Sequence, residues 1–188
     1  MKILLIVLGV LLLVLVMAGF QAKSTYNSLY AQREDINGKW AQVDVALQRR
    51  ADLIPNLVES VKGFAKQEKE IMEAVANARA GLLNARGPQE RIEANGRLDS
   101  ALGRLLLVVE NYPNLKSNEN FLRLQDELAG SENRIAVERR KYNEGVQRYN
   151  TSIGLFPSNV VASMFSFQRN DAYFKTEPVA RQVPKVAF

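Results

Sequence analysis

The chain has 188 residues, with 25 Lys and Arg against 20 Asp and Glu for a formal charge of +5, and is 47% hydrophobic, enough for about one ordinary domain. It contains no His and no Cys, which excludes disulfides, Cys- or His-ligated zinc, thiolate nucleophiles, Ser-His-Asp triads and imidazole pH switches. With only 11 Gly and 6 Pro, the composition favours long helices, and any catalysis would fall to carboxylates, Lys, Arg, Tyr or hydroxyls.

Ile3 to Phe20 is a run of 18 residues without a charge. As a helix it reaches about 27 Å, against a hydrocarbon core of roughly 30 Å. A cleaved signal peptide is the competing reading. The run exceeds a usual signal core, and Met17 to Ala22 holds no clean A-x-A site, so residues 1–22 are expected to be a retained single-pass anchor in a bacterial cytoplasmic membrane. The basic Met1-Lys2 end favours an exported soluble part, whereas Lys23, Arg33 and Lys39 favour a cytoplasmic one. The export reading is preferred on the residues alone.

Residues 23–155 read as a helical bundle. Tyr26, Leu29, Ile36, Trp40, Val43 and Leu47 recur at helical spacing and predict a helix from Ser24 to Ala51 that runs through Asn37-Gly38. Asp52 is expected to cap a second helix with Pro55 in its first turn; a single helix kinked at Pro55 is the alternative. The second seam is Ile54, Leu57, Val61, Phe64, Ile71, Val75, Ala78 and Leu82. Gly87-Pro88 ends one helix and opens the next, from Pro88 to Tyr112. There Leu105 to Val109 are apolar on every side and predict an end covered all round, while Gly96 and Gly103 would allow a close neighbour. Ser117 opens the last helix, with Phe121, Leu128, Ile135, Tyr142, Val146, Tyr149 and Ile153 on one stripe. The expected fold is all-α: a transmembrane helix followed by an antiparallel up-down four-helix bundle. In that topology the last helix returns to the membrane, delivering residues 156–174 as an aromatic segment that either sits at the interface or caps the bundle. Residues 175–188 read as an extended tail.

Certain motifs add a resemblance. Trp40, the run from Gln42 to Val58, Lys62-Gly63, Val109-Glu110-Asn111-Tyr112-Pro113, Asn118-Glu119-Asn120-Phe121, Glu132-Asn133-Arg134-Ile135, Tyr142-Asn143, Tyr149-Asn150 and Phe156-Pro157 resemble the bacterial LemA family over nearly the whole chain. The resemblance implies a single-pass membrane protein with a helical bundle and no assigned biochemical activity. A magnetosome-formation member adds a role at membranes. It also implies a cytoplasmic bundle, opposite to the orientation preferred above.

Three groups of candidate residues follow. Arg49, Arg50, Asp52, Asn56, Glu110, Asn111, Glu119, Asn120, Glu132, Asn133 and Arg134 cluster near expected turns; they form either a partner-docking network or caps and register pairs. Phe156, Phe165, Phe167, Tyr173, Phe174, Val186 and Phe188 are candidates for membrane contact or self-assembly. Arg33, Glu68, Glu132 and Arg139 occupy seam positions, where a charge lines a cavity or keeps its head in water. No catalytic, cofactor-binding or metal residue is assigned, since phosphate-loop, dinucleotide and nucleophile-elbow motifs are missing. Acidic residues interspersed through every helix argue against nucleic acid as a partner. The expected function is a non-catalytic scaffold of the bacterial membrane that meets lipid, itself as a homo-oligomer, or a membrane-protein partner. The alternative is an adaptor or regulatory partner of a membrane protease or transporter.

Overall fold

The computed structural model describes residues 1–65 and 67–174; the expected tail, with Val186 and Phe188, lies outside them. Among the described residues there are helices and no strands: α1 (Lys2–Lys62), α2 (Lys69–Asn84), α3 (Gly87–Val109), α4 (Pro113–Lys116), α5 (Glu119–Gly154) and α6 (Ser158–Met164). They form two compact units: unit 1 holds Met1–Lys39 with Tyr142–Asp171, and unit 2 holds Trp40–Lys141 with Ala172–Phe174 of the described chain.

α1 departs most from expectation. The anchor, the helix predicted from Ser24 and the first turns of the helix predicted from Asp52 are one helix, interrupted neither at Asn37-Gly38 nor at Pro55. Asp52 therefore caps nothing; it lies on the exposed face and accepts a bond from Gln48 Nε2 at 3.0 Å. Pro55 lacks the N–H that would bond the carbonyl four residues earlier, that of Ala51. Arg79 of α2 supplies it, Nε–H to Ala51 O, at 2.7 Å. The proline defect is repaired from outside the helix, so α1 continues to Lys62.

In unit 2, α1 buries Val43, Leu47, Ile54, Leu57 and Val61, the seam that the spacing predicts. Beyond Lys62 the phase is lost. Ala65 turns inward, Phe64 is exposed, and α2 restarts with Met72, Val75 and Leu82 inside. Gly87 carries φ +74°, a left-handed backbone that only Gly adopts freely, which breaks the chain between α2 and α3 where Gly87-Pro88 predicts.

Side-chain pairs give the directions of the helices in unit 2. Asp44 meets Arg91, and Arg50 meets Asp99, so residue numbers rise together and α1 and α3 run parallel. α2, joined to each by a short turn, runs against both, and α5 completes the up-down bundle. α5 is capped by Asn118 rather than by the expected Ser117: the Asn118 Oδ1 accepts from the N–H groups of Asn120 and Phe121 at 3.1 and 3.2 Å. α3 ends at Val109, before the expected Tyr112. Its end is not covered all round. Leu105 and Val109 are buried, but Leu106 and Leu107 are exposed, because α3 packs on one side only. Gly103 likewise faces open space, so it permits no close neighbour.

In unit 1, residues 3–20 are exposed along their whole length, and α1 is the one described helix long and apolar enough to cross a membrane. Beyond that run, Leu29 and Ile36 of α1 and Val146 and Tyr149 of α5 are buried in the core of this unit. Ser152 donates to Gln32 at 2.9 Å, and Arg148 lies 3.7 Å from Asp35; numbers fall on α5 as they rise on α1, so the two run antiparallel. At Gly145 a Cβ would lie 3.1 Å from Lys39 Cδ and 3.6 Å from Ile36 Cγ1. Gly145 is thus a close-approach position between α1 and α5.

Candidate functional site

The predicted polar group is not one cluster. Its only assembled part lies in unit 2 around Arg50, which takes a seam position three residues after Leu47 and four before Ile54 and is buried. Its guanidinium contacts Asp99 of α3 and lies 2.8 Å from Glu132 Oε2 of α5. Asn95 stands over the pair, donating Nδ2–H to Asp99 Oδ2 at 3.0 Å, with its Oδ1 3.4 Å from Arg50 Nη1. One cation thus faces two carboxylates from two helices. Charges drawn from three helices align only at one relative sliding position, so the arrangement fixes register. The Asp44–Arg91 pair repeats the constraint between α1 and α3.

The other predicted polar residues lie apart. Arg49 and Asp52 border a shallow open groove on α1 with Asp44, Val45, Gln48 and Leu53, and Asn56 is exposed farther along the helix. Glu110 pairs with Lys116 at 2.5 Å around the exposed Asn111. Glu119 and Asn120 occupy the exposed first turn of α5, while Asn133 and Arg134 face solvent beside Glu132. Sequence reasoning missed Asn95, Asp99, Asp44, Arg91 and Arg79. The available signals were Asp99 beside the seam residue Leu98, and Ala51 four residues before Pro55.

The charges at seam positions have specific partners. Glu68 accepts from the Tyr112 hydroxyl at 3.1 Å. This bond, followed by desolvation, raises the Tyr112 pKa above its usual value. In unit 1, Arg33 lies over the rings of Tyr30 and Phe167, 5.1 and 5.4 Å from their centroids. In unit 2, Arg139 lies 4.5 Å over Phe174, which stacks at 6.1 Å on Trp40. Such cation–π contacts let a cation occupy an apolar seam.

The aromatic segment consequently divides. Phe156 and Phe165 are exposed, Tyr173 is half-buried, and Phe167 and Phe174 are buried within the chain, each against an arginine. In unit 1 the irregular stretch after α6 is clamped to α5. Tyr149 O–H donates to Gln168 O at 2.9 Å. The Asn150 amide closes a two-bond ring, Nδ2–H to Asn170 O at 2.7 Å and Asn170 N–H to Oδ1 at 2.9 Å. Burial raises the Tyr149 pKa, opposed by Arg33. Ser166, at φ 57°, ends α6: its N–H bonds Ser163 O, and the Phe167 N–H bonds Ala162 O at 2.9 Å, a left-handed stop that turns Phe167 inward. Tyr149-Asn150 is thus a latch, a role that helical periodicity does not reveal. Among the described residues, no three acidic side chains come together to hold a metal ion.

Comparison with known proteins identifies the family. Magnetosome protein MamQ 1 of Paramagnetospirillum magneticum is 29% identical over 179 residues, covering 81% of this chain and 65% of that protein. Magnetosome protein MamQ of Magnetospirillum gryphiswaldense is 27% identical with the same coverage. Protein LemA of Metamycoplasma hominis is 26% identical over 156 residues, covering 82% of this chain and 71% of its own. The chain spans just under two thirds of the length of the magnetosome relatives. The LemA family model matches residues 39–188, which include the Arg50 network, the Pro55 repair and the Tyr149-Asn150 latch. On that match over most of its length, the chain belongs to the LemA family.

Proposed function

We propose that the protein is a non-catalytic, membrane-anchored helical scaffold that holds copies of itself or a second membrane protein at the bilayer. The observation that carries this reading is the apolar end of unit 2. α1 and α3 run parallel and finish together, the Tyr112–Glu68 bond joins the turns that follow them, and Phe64, Leu106, Leu107 and Leu122 are exposed there at 43, 36, 72 and 44%. Several large apolar side chains gathered at one end favour a protein contact, and confinement to a membrane raises the effective concentration of such ends. The similarity to proteins named as magnetosome proteins supports a place at a membrane.

A photocrosslinker at Leu107 in cells tests the reading. Self-crosslinked ladders support a homo-oligomeric scaffold, and one abundant foreign membrane protein supports the adaptor form; monomer alone overturns both. The proposal places the bundle outside the cytoplasm, with the amino terminus inside. Since the chain has no Cys, Ser100→Cys labelled in intact cells by an impermeant maleimide tests the side directly. Labelling only after lysis reverses it.

A further inference from the structure

We infer that the turn between α5 and α6, with the outer face of α6, is a second membrane-contact element that rests on anionic lipid headgroups beside the point where α1 enters the bilayer. The inference rests on the membrane reading of residues 3–20 and adds a surface to it.

Three observations within unit 1 converge. First, Tyr149 to Gln168 contains no charged residue, like the run from Ile3 to Ala22, although it ends a helix whose other turns are rich in charge. Second, this stretch presents Leu155, Phe156, Val160, Met164 and Phe165 outward at 59, 82, 49, 72 and 52% exposure, while Val161 and Ala162 pack inward. A seven-residue helix with one face already satisfied thus holds its second apolar face in the open.

Third, its place in the unit is settled. The Phe165 ring meets Tyr26 edge-on at 4.8 Å, and Leu155 and Phe156 border a groove with Ser24 and Thr25. Ser24 and Thr25 stand four and five residues past Phe20, a rise of about 6–8 Å, within a headgroup layer of roughly 5–8 Å on each side of the hydrocarbon core, and Tyr26 lies at its outer edge. The patch therefore continues the fully exposed apolar surface of the span at the level where aromatic side chains favour the interface.

Charge favours an anionic lipid. The first charged residue after the apolar run of α1 is Lys23, and Arg148 and Arg169 bound the uncharged stretch of α5 and α6. Arg169 pairs with Asp171 at 2.9 Å and Arg148 lies 3.7 Å from Asp35, so Lys23, the charge next to the span, carries the attraction to an anionic surface.

The test uses the full chain in nanodiscs of phosphatidylcholine mixed with phosphatidylglycerol. Single cysteines carrying an environment-sensitive dye are placed at Asn159→Cys and Ser163→Cys, with Ser100→Cys as a unit 2 control and Leu12→Cys as a deep control. The expected result is blue-shifted emission at 159 and 163, quenched by headgroup-level nitroxide lipid, against aqueous emission at 100. Adding Phe156→Asp with Met164→Asp should abolish that quenching while helix content stays unchanged, and omitting phosphatidylglycerol should weaken it. Aqueous emission at 159 and 163 with Leu12→Cys still quenched would overturn the inference and spare the anchor. Loss of quenching at 12 would overturn both. A blue shift without lipid quenching that grows with protein density would assign the face to a second copy instead, and equal quenching in pure phosphatidylcholine would remove the anionic preference.

Discussion

Arg79 repairs the break that Pro55 makes in α1, its Nε–H lying 2.7 Å from the Ala51 carbonyl that the proline leaves unbonded. Ala51 is fully buried, so this carbonyl has no water to turn to. The two residues should be energetically coupled. Arg79→Met is expected to cost about 2 kcal/mol, a bond from a charged donor to a buried acceptor. Pro55→Ala restores the helical N–H and should raise stability by about 1–3 kcal/mol, and in that background Arg79→Met should cost well under half as much. A denaturant double-mutant cycle checks this; additive effects would refute the coupling.

The Arg50 network makes a second prediction. Removing its cation leaves Asp99 and Glu132 facing each other, and because their side chains are 34 and 42% exposed, water relieves part of the cost. Arg50→Met should lower stability by about 2 kcal/mol. Arg134→Ala, on the exposed face, should stay within about 0.5 kcal/mol. Equal effects in urea melts would contradict the placement of the buried charge.

Asn150 clamps the backbone of Asn170 with two bonds. Asn150→Ala should free the stretch after α6 while leaving the helices formed. Tryptic cleavage after Arg169 is expected to accelerate roughly tenfold, the response to about 1.4 kcal/mol of local stability. An unchanged rate with the same helical circular dichroism would show that the latch carries no weight.

Ser166 holds a left-handed backbone, which costs a residue with a Cβ about 1 kcal/mol. Ser166→Gly removes the strain and should raise the melting temperature by a few degrees. A lowered one would mean that the serine side chain supports the turn.

The alkaline limb of stability reports on two phenols. Burial raises Tyr149, and the bond to Glu68 raises Tyr112. A raised folded pKa means the folded state holds the proton more tightly. The associated stability is therefore complete below about pH 10 and is lost as pH climbs through the folded values. Urea midpoints should fall above pH 10 in the wild type, and less steeply in Tyr149→Phe with Glu68→Gln. Parallel profiles would exclude both groups as the source.

Much of the fold was legible because it rests on periodicity. Leu29, Ile36, Val43, Leu47, Ile54 and Leu57 recur at helical spacing and are all buried, and Gly87-Pro88 marks a break that a positive φ requires. The boundaries at Asp52 and Ser117 differ from expectation for separate reasons. At Asp52 a contact from a distant residue wins: Arg79 bonds the carbonyl that Pro55 leaves open, and the alternative of one helix through Pro55 holds. At Ser117 a neighbour wins, because Asn118 provides the cap.

The order of residues alone determined an apolar span, an all-helical chain and the faces its helices bury, since hydrophobic spacing and turn residues act over a few positions. Tertiary structure decided which charges meet. Arg50 with Asp99 and Glu132, Arg33 with Phe167, and Arg139 with Phe174 are pairs separated by tens of residues, and a cation's choice of partner depends on which helices lie beside it. It also decided which aromatics stay outside: Phe167 and Phe174 are buried, each with an arginine over its ring, whereas Phe156 and Phe165 keep exposed faces.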